Sequence, residues 1–182
     1  MKGIVFTEFL EMVAQRFGED MVDDMIADSQ VPHKGAYTSV GTYPHDEMVA
    51  LVSSMSSRTG LSMDSLLEVF GHHLFGRFYL HHPQFMDSTP DPLEFLMGIE
   101  TIVHTDVRKL YPDAQLPGFD THRISANQIV MHYSSMHNFS SLAAGLLKGC
   151  AEHYRCNLKV ERSKPRQIPR GVAVDFTVTR DV

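Results

Sequence analysis

The fold turns on one stretch, Asp91-Pro92-Leu93-Glu94-Phe95-Leu96-Met97-Gly98-Ile99-Glu100-Thr101-Ile102-Val103-His104-Thr105-Asp106-Val107-Arg108-Lys109-Leu110-Tyr111-Pro112. Asp91 has the side chain of an N-cap, and proline is well suited to the first helical position because its missing N–H has no partner to lose there. The spacing predicts one helix from Asp91 through His104 to about Tyr111, ended by Pro112. After Pro117-Gly118 the apolar period changes from helical to alternating. The stretch therefore separates a helical first part from a strand-rich second part.

Upstream of it, Phe6, Phe9, Leu10, Val13 and Phe17 recur at helical spacing before Gly18, which predicts a first helix. A second fits Asp20 to Ala27. Pro32, Gly35, Gly41 and Pro44 make Val31 to Pro44 a loop. A third helix fits His45 to Arg58, and a fourth runs from about Ser62 to His81 with a broad apolar face.

Downstream, Thr121 to Ser125 and Gln128 to Ser134 read as a hairpin joined at Ala126-Asn127. Ser140 opens an apolar helix, Leu142 to His153, followed by a strand candidate at Asn157 to Arg162. Gly171 to Thr179 alternates, with Val172, Val174, Phe176 and Val178 on one face. The fold class is α+β, an amino-terminal helical lobe followed by an antiparallel sheet with packed helices. One domain is expected over 1–182, with a distal helical part over about 1–60 and a proximal helix and sheet part over about 61–182.

The 182 residues are 43% hydrophobic and 21% charged, which suits a folded core. A formal net charge of -6 argues against a nucleic-acid partner, since such proteins cluster Lys and Arg. No export signal or apolar run long enough for membrane insertion is visible, so a cytoplasmic location is expected. Two cysteines, Cys150 and Cys156, are too few for a disulfide framework or a cysteine-rich zinc site. Walker, dinucleotide-binding, nucleophile-elbow and H-E-x-x-H signatures do not occur, and no enzyme is expected.

Of the 11 histidines, any one taken alone is ordinarily solvated or hydrogen-bonded. His72 and His73, adjacent on a helix, point about 100° apart, which argues against their binding one metal together, and both pairs, His72-His73 and His81-His82, read as surface features. His104 differs, because it follows Ile102 and Val103 and shares a predicted helical face with Thr101 and Met97. A single axial imidazole can hold haem iron, given a wide apolar cavity and groups that receive two propionates. Composition by itself stops short of haem, because Met and Phe stripes also serve an ordinary core.

From Met1 almost to the carboxyl end the chain resembles the heme nitric oxide/oxygen binding (H-NOX) family. The likeness is carried by Met1-Lys2-Gly3-Ile4-Val5-Phe6, by Gly35-Ala36-Tyr37-Thr38-Ser39-Val40-Gly41-Thr42-Tyr43, by His104 to Pro112, by Leu116-Pro117-Gly118-Phe119 and by Tyr133-Ser134-Ser135. The resemblance implies haem b as cofactor, with His104 as the proximal iron ligand. Tyr133 and Ser135 match the first two fixed positions of the Y-x-S-x-R motif that holds the propionates. The fifth position is His137 rather than Arg, and a partly charged imidazole in place of a permanent guanidinium fork implies weaker or more pH-dependent haem retention.

Leu142 stands nine residues beyond Tyr133, where oxygen-binding members have a hydrogen-bonding tyrosine. Phe9, Leu74, Phe78 and Leu146 match apolar distal positions, Pro117 the proline pressing on the haem, and Val5 an aliphatic residue that distorts the ring. Met97 is assigned to the same lining. The expected ligand is nitric oxide, which binds ferrous haem without a distal donor. No zinc is expected, because Ser141 stands near one expected cysteine and Lys164 to Gly171 has no ligand pattern.

The implied function is a gas sensor in which weakening of the iron–His104 bond changes a surface read by a partner protein. By the same resemblance the partner is a histidine kinase or a cyclic-di-GMP synthase or phosphodiesterase, and the chain a bacterial, stand-alone monomer. One alternative is a haem-independent interaction or redox-sensing module on the same fold. Another is an enzyme or storage protein using the histidines for a non-haem metal.

Overall fold

A computed structural model describes residues 1–181. Helices α1 (Gly3–Phe17), α2 (Glu19–Ser29) and α3 (His45–Thr59) pack with α4 (Met63–His81) around one apolar cluster. The helical spacing of Phe6, Phe9, Met12 and Val13 on α1 puts all four out of water. Gly18, at φ 91°, ends α1 by returning its N–H to the Ala14 carbonyl. The Ser62 side chain accepts from the Ser65 N–H at 3.1 Å and caps α4.

The 31–44 segment is a loop held by a buried polar knot rather than a free one. Glu47, 3% exposed, receives the Tyr37 hydroxyl at 2.8 Å and faces His33 Nδ1 at 2.6 Å. Tyr37 in turn stacks on Phe6, ring centroids 4.4 Å apart. The loop is thereby fastened to α1 and α3.

The second cluster belongs to the sheet, whose strands are β1 (Gly118–Ser125), β2 (Gln128–Ser135), β3 (Leu158–Arg162), β4 (Arg166–Ile168) and β5 (Gly171–Arg180). Their order is β1-β2-β5-β3, with β4 also on β5, and all pairs are antiparallel. Ile129, Met131 and Tyr133 oppose Val178, Phe176 and Val174 on the buried face, as the alternation predicts. The short β4 has no alternation of its own and escaped the sequence reading, as did α5 (Gln84–Asp87).

Helix α8 (Ser140–His153) lies against α4 at close quarters. A Cβ on Gly71 would stand 2.1 Å from the Leu142 carbonyl oxygen, and one on Gly145 2.0 Å from that of Glu68. Small residues set this spacing. Helix α4 supplies Leu66, Leu67, Phe70 and Leu74 to the first cluster and Phe75 to the second.

The predicted continuous helix over 91–111 is corrected by the structure into three pieces. Helix α6 (Pro92–Met97) is capped by Asp91, which accepts from Leu93 and Glu94; a π-turn occupies Ile99–Val103, and α7 (His104–Leu110) follows. Gly98, a weak helix former, sits at the break. The wider π-turn means that the spacing from Met97 to His104 does not carry the facial relationship an unbroken α-helix would give.

Candidate functional site

His104 begins α7 directly after the π-turn, and its side chain is 12% exposed. Its Nδ1 lies 3.0 Å from Glu100 Oε2. The same carboxylate receives Arg108 Nη2 at 2.7 Å and the Phe119 backbone N–H at 3.2 Å. Burial pushes the Glu100 carboxyl upward, but the bonds from Arg108, His104 and Phe119 outweigh it and hold the group below its ordinary value. Burial likewise pushes the His104 imidazole down against the pull of Glu100. An ionised Glu100 takes Nδ1–H as its donor, which leaves the Nε2 lone pair for a metal.

A row of rings leads from His104 into the sheet. Phe119 on β1 stands 5.8 Å from His104 and 5.6 Å from Tyr133 on β2, centroid to centroid. The Tyr133 hydroxyl donates to the His137 carbonyl at 3.2 Å and accepts from the Phe139 N–H at 3.2 Å. Ser135 Oγ accepts from the His137 N–H at 3.3 Å, so its own proton is left for an acceptor such as a carboxylate. Tyr133, Ser135 and His137 thus form one knot at the turn between β2 and α8.

The apolar residues expected at the cofactor divide by burial. Phe9 and Leu74 are closed into the helical core at 0% and 2% exposure. Val5, Phe78, Leu142 and Leu146 are half-buried along the edge of that core, and Met97 along the edge of the sheet cluster, which Phe78 and Leu146 also touch. Pro117, just before β1, is half-buried. A neutral nitrogen donor, half-open apolar edges from both clusters and a knot of hydroxyls suit a flat apolar group with one axial position and acidic side arms.

Three features of this region escaped the sequence reading. Glu100 carried a usable signal, since its spacing to His104 and Arg108 repeats along one helical face. His45 did not, because only the fold brings its ring to 3.7 Å from that of His137, nearly parallel at 14°. The third corrects the view of one member of the histidine pairs, His73, as a surface feature. His72 does lie at the surface beside Glu152, whereas His73 is only 13% exposed, 3.7 Å from the buried Glu8 carboxylate that Arg77 Nε binds at 2.7 Å. His81 reaches the other oxygen of Glu8 at 3.7 Å.

Among the described residues, no helix is long and apolar enough to cross a membrane. A search among curated proteins returned no match. Among solved structures, the chain superposes on the Fe(II) unliganded H-NOX protein from K. algicida with a TM-score of 0.91 at 36% identity, over 100% of this chain and 97% of that one. The H-NOX from Shewanella woodyi, solved in the Fe(II)CO state, gives 0.83 at 35% identity, over 100% and 95%. The H-NOX protein from S. oneidensis in the Fe(II)NO state gives 0.90 at 25%, over the whole of both chains. The family model described as haem-NO-binding matches residues 2–162, and the chain belongs to the haem-NO-binding, or H-NOX, family.

Proposed function

We propose that this chain is a haem b sensor of nitric oxide, a single domain over 1–182 that signals to a partner protein and catalyses no reaction of its own. The observation that carries the reading is the largely buried His104 ring held at Nδ1 by Glu100, an arrangement that leaves Nε2 as a ligand. Ferrous haem, when bound, supplies the iron to which the gas ligand attaches. Ser135 has a proton free for the acidic side arms, and Tyr133 joins it when its hydroxyl turns from the His137 carbonyl to a carboxylate. Val5, Phe9, Leu74, Phe78, Leu142 and Leu146 supply a distal side without a hydrogen-bond donor, while Met97 and Pro117 close the proximal side. An oxygen adduct gains from a donor and nitric oxide does not need one, so the apolar lining selects against stable oxygen binding.

His104 couples the site to a surface. Were Nε2 freed from a bound iron, the ring would stay tethered to Glu100, and through Glu100 to Arg108 and the Phe119 backbone, so α7 and the start of β1 would respond together. Signalling then requires a partner that binds the two arrangements unequally. A histidine kinase or a cyclic-di-GMP synthase or phosphodiesterase is the partner this reading favours, with the sensor monomeric and cytoplasmic and without structural zinc.

The test is the anaerobic absorption spectrum of the reduced, haem-supplied protein before and after nitric oxide, and separately after air. A five-coordinate ferrous spectrum that changes with nitric oxide and forms no stable oxygen complex is expected. A stable oxygen complex overturns the selectivity, and the absence of any haem spectrum returns the chain to a haem-independent module.

A further inference from the structure

We propose that His45 and His137 act together at the acidic end of the haem site, a stacked imidazole pair that carries one proton, on one ring or the other, and receives a propionate carboxylate from both lobes at once. The proposal rests on the haem reading above. His45 opens α3 in the helical lobe, whereas His137 lies in the turn between β2 and α8. Their rings stack at 3.7 Å, and the His45 ring also lies 4.4 Å from Phe139. Tyr133 and Ser135 bond to the backbone of His137 itself, so the pair and the two hydroxyls occupy one place.

Two cations at this separation repel strongly where water is partly excluded, so the pair carries one proton at most under ordinary conditions. The groups acting on His45 are named by the structure. Burial and the neighbouring His137 push its imidazole down to about 4, Asp46 on the same helix opposes them, and the Met1 ammonium adds to the lowering. The free His45 ring is therefore neutral near neutral pH. A carboxylate brought against it stabilises the protonated form, so haem binding draws one proton from solvent onto the pair. A guanidinium at position 137 would hold its charge without this uptake. Haem retention should accordingly be strongest at low pH and weaken as pH rises.

The measurement is the rate of haem loss to excess apomyoglobin at pH 6 and pH 8. It compares the natural chain with His45→Ala, His137→Ala and the double variant, and repeats the natural chain loaded with haem dimethyl ester. One charge-assisted hydrogen bond is at stake, so the natural chain should lose haem about tenfold faster at pH 8 than at pH 6. Each single variant should lose it about tenfold faster at pH 6 and show little pH dependence, and the double variant should be no faster than either. Esterification removes the carboxylates, so it should also remove the pH dependence in the unaltered chain, whatever the substitutions do to folding. If His45→Ala retains haem as well as the natural chain with the same pH dependence, or if the ester keeps that dependence, the pair is overturned while the haem reading stands. A chain that takes up no haem overturns both.

Discussion

Glu100 and His104 form a carboxylate–imidazole couple one helical turn apart, with Nδ1 3.0 Å from Oε2. The same Glu100 oxygen binds the Phe119 N–H and the other oxygen binds Arg108, so the carboxylate is anchored before it orients the ring. An ionised acceptor fixes the tautomer and makes Nε2 a stronger donor to a metal. Glu100→Gln should lower the iron–histidine stretching frequency in the resonance Raman spectrum of the ferrous protein and weaken haem affinity by about tenfold to a hundredfold. An unchanged band would show that the couple does not govern the axial bond.

Leu142 is half-buried at the edge of the helical core, and its helix is held against α4 through Gly71. A tyrosine here would bring a hydroxyl to a distal lining that otherwise lacks a donor. Leu142→Tyr should create a stable oxygen complex and raise oxygen affinity by about tenfold to a hundredfold, the worth of a hydrogen bond to a partly charged acceptor. Oxygen titration of the reduced protein reads the change. If the variant still forms no oxygen complex, selectivity is set elsewhere than at residue 142.

The two-lobed plan was legible because each element announces itself locally. The alternation of Val172, Val174, Phe176 and Val178 gave a strand and its buried face from the chain alone, and the structure pairs the last three with Tyr133, Met131 and Ile129. The break before His104 was not legible, because Gly98 alone does not distinguish a tolerated helical glycine from a π-turn. His104 was singled out by its apolar neighbours and then by family likeness. His45 was invisible for a different reason, since no periodicity relates residues 45 and 137, and their stacking follows only from how the lobes meet. Local pattern predicts faces, while pairwise contacts between lobes need the fold.

Gly145 makes the contact between α8 and α4 testable. A methyl group there would sit 2.0 Å from the Glu68 carbonyl oxygen and 2.9 Å from the Gly71 Cα, both in backbone, so neither neighbour can rotate away. The helices must separate or the helix must bend. Gly145→Ala should destabilise the fold by about 3 kcal/mol in urea unfolding, despite alanine's better helix propensity. Gly76→Ala, where nothing lies within 4 Å of the added carbon, is the matched control and should be neutral or slightly stabilising. Equal effects at the two glycines would mean that close packing is not what position 145 provides.

Tyr37 and Glu47 allow the buried knot under the loop to be separated from ring packing. Tyr37→Phe keeps the stack on Phe6 and deletes only the hydroxyl that donates to Glu47 at 2.8 Å. Burial alone would raise the Glu47 carboxyl above its ordinary 4.5, yet the bonds from His33 and Tyr37 bring it below that value. A carboxyl lowered by folding contributes stability that is complete above the unfolded value and is lost as pH falls through the folded one. Burial and Glu47 also push the Tyr37 hydroxyl upward, so it remains a donor throughout this range. Removing it should cost about 1 to 3 kcal/mol near neutrality, shift acid unfolding to higher pH, and leave a difference between the two proteins that shrinks once Glu47 is protonated. Urea unfolding at a series of pH values measures this directly, and a difference that stayed constant down to acid pH would mean the hydroxyl stabilises the loop without acting through Glu47.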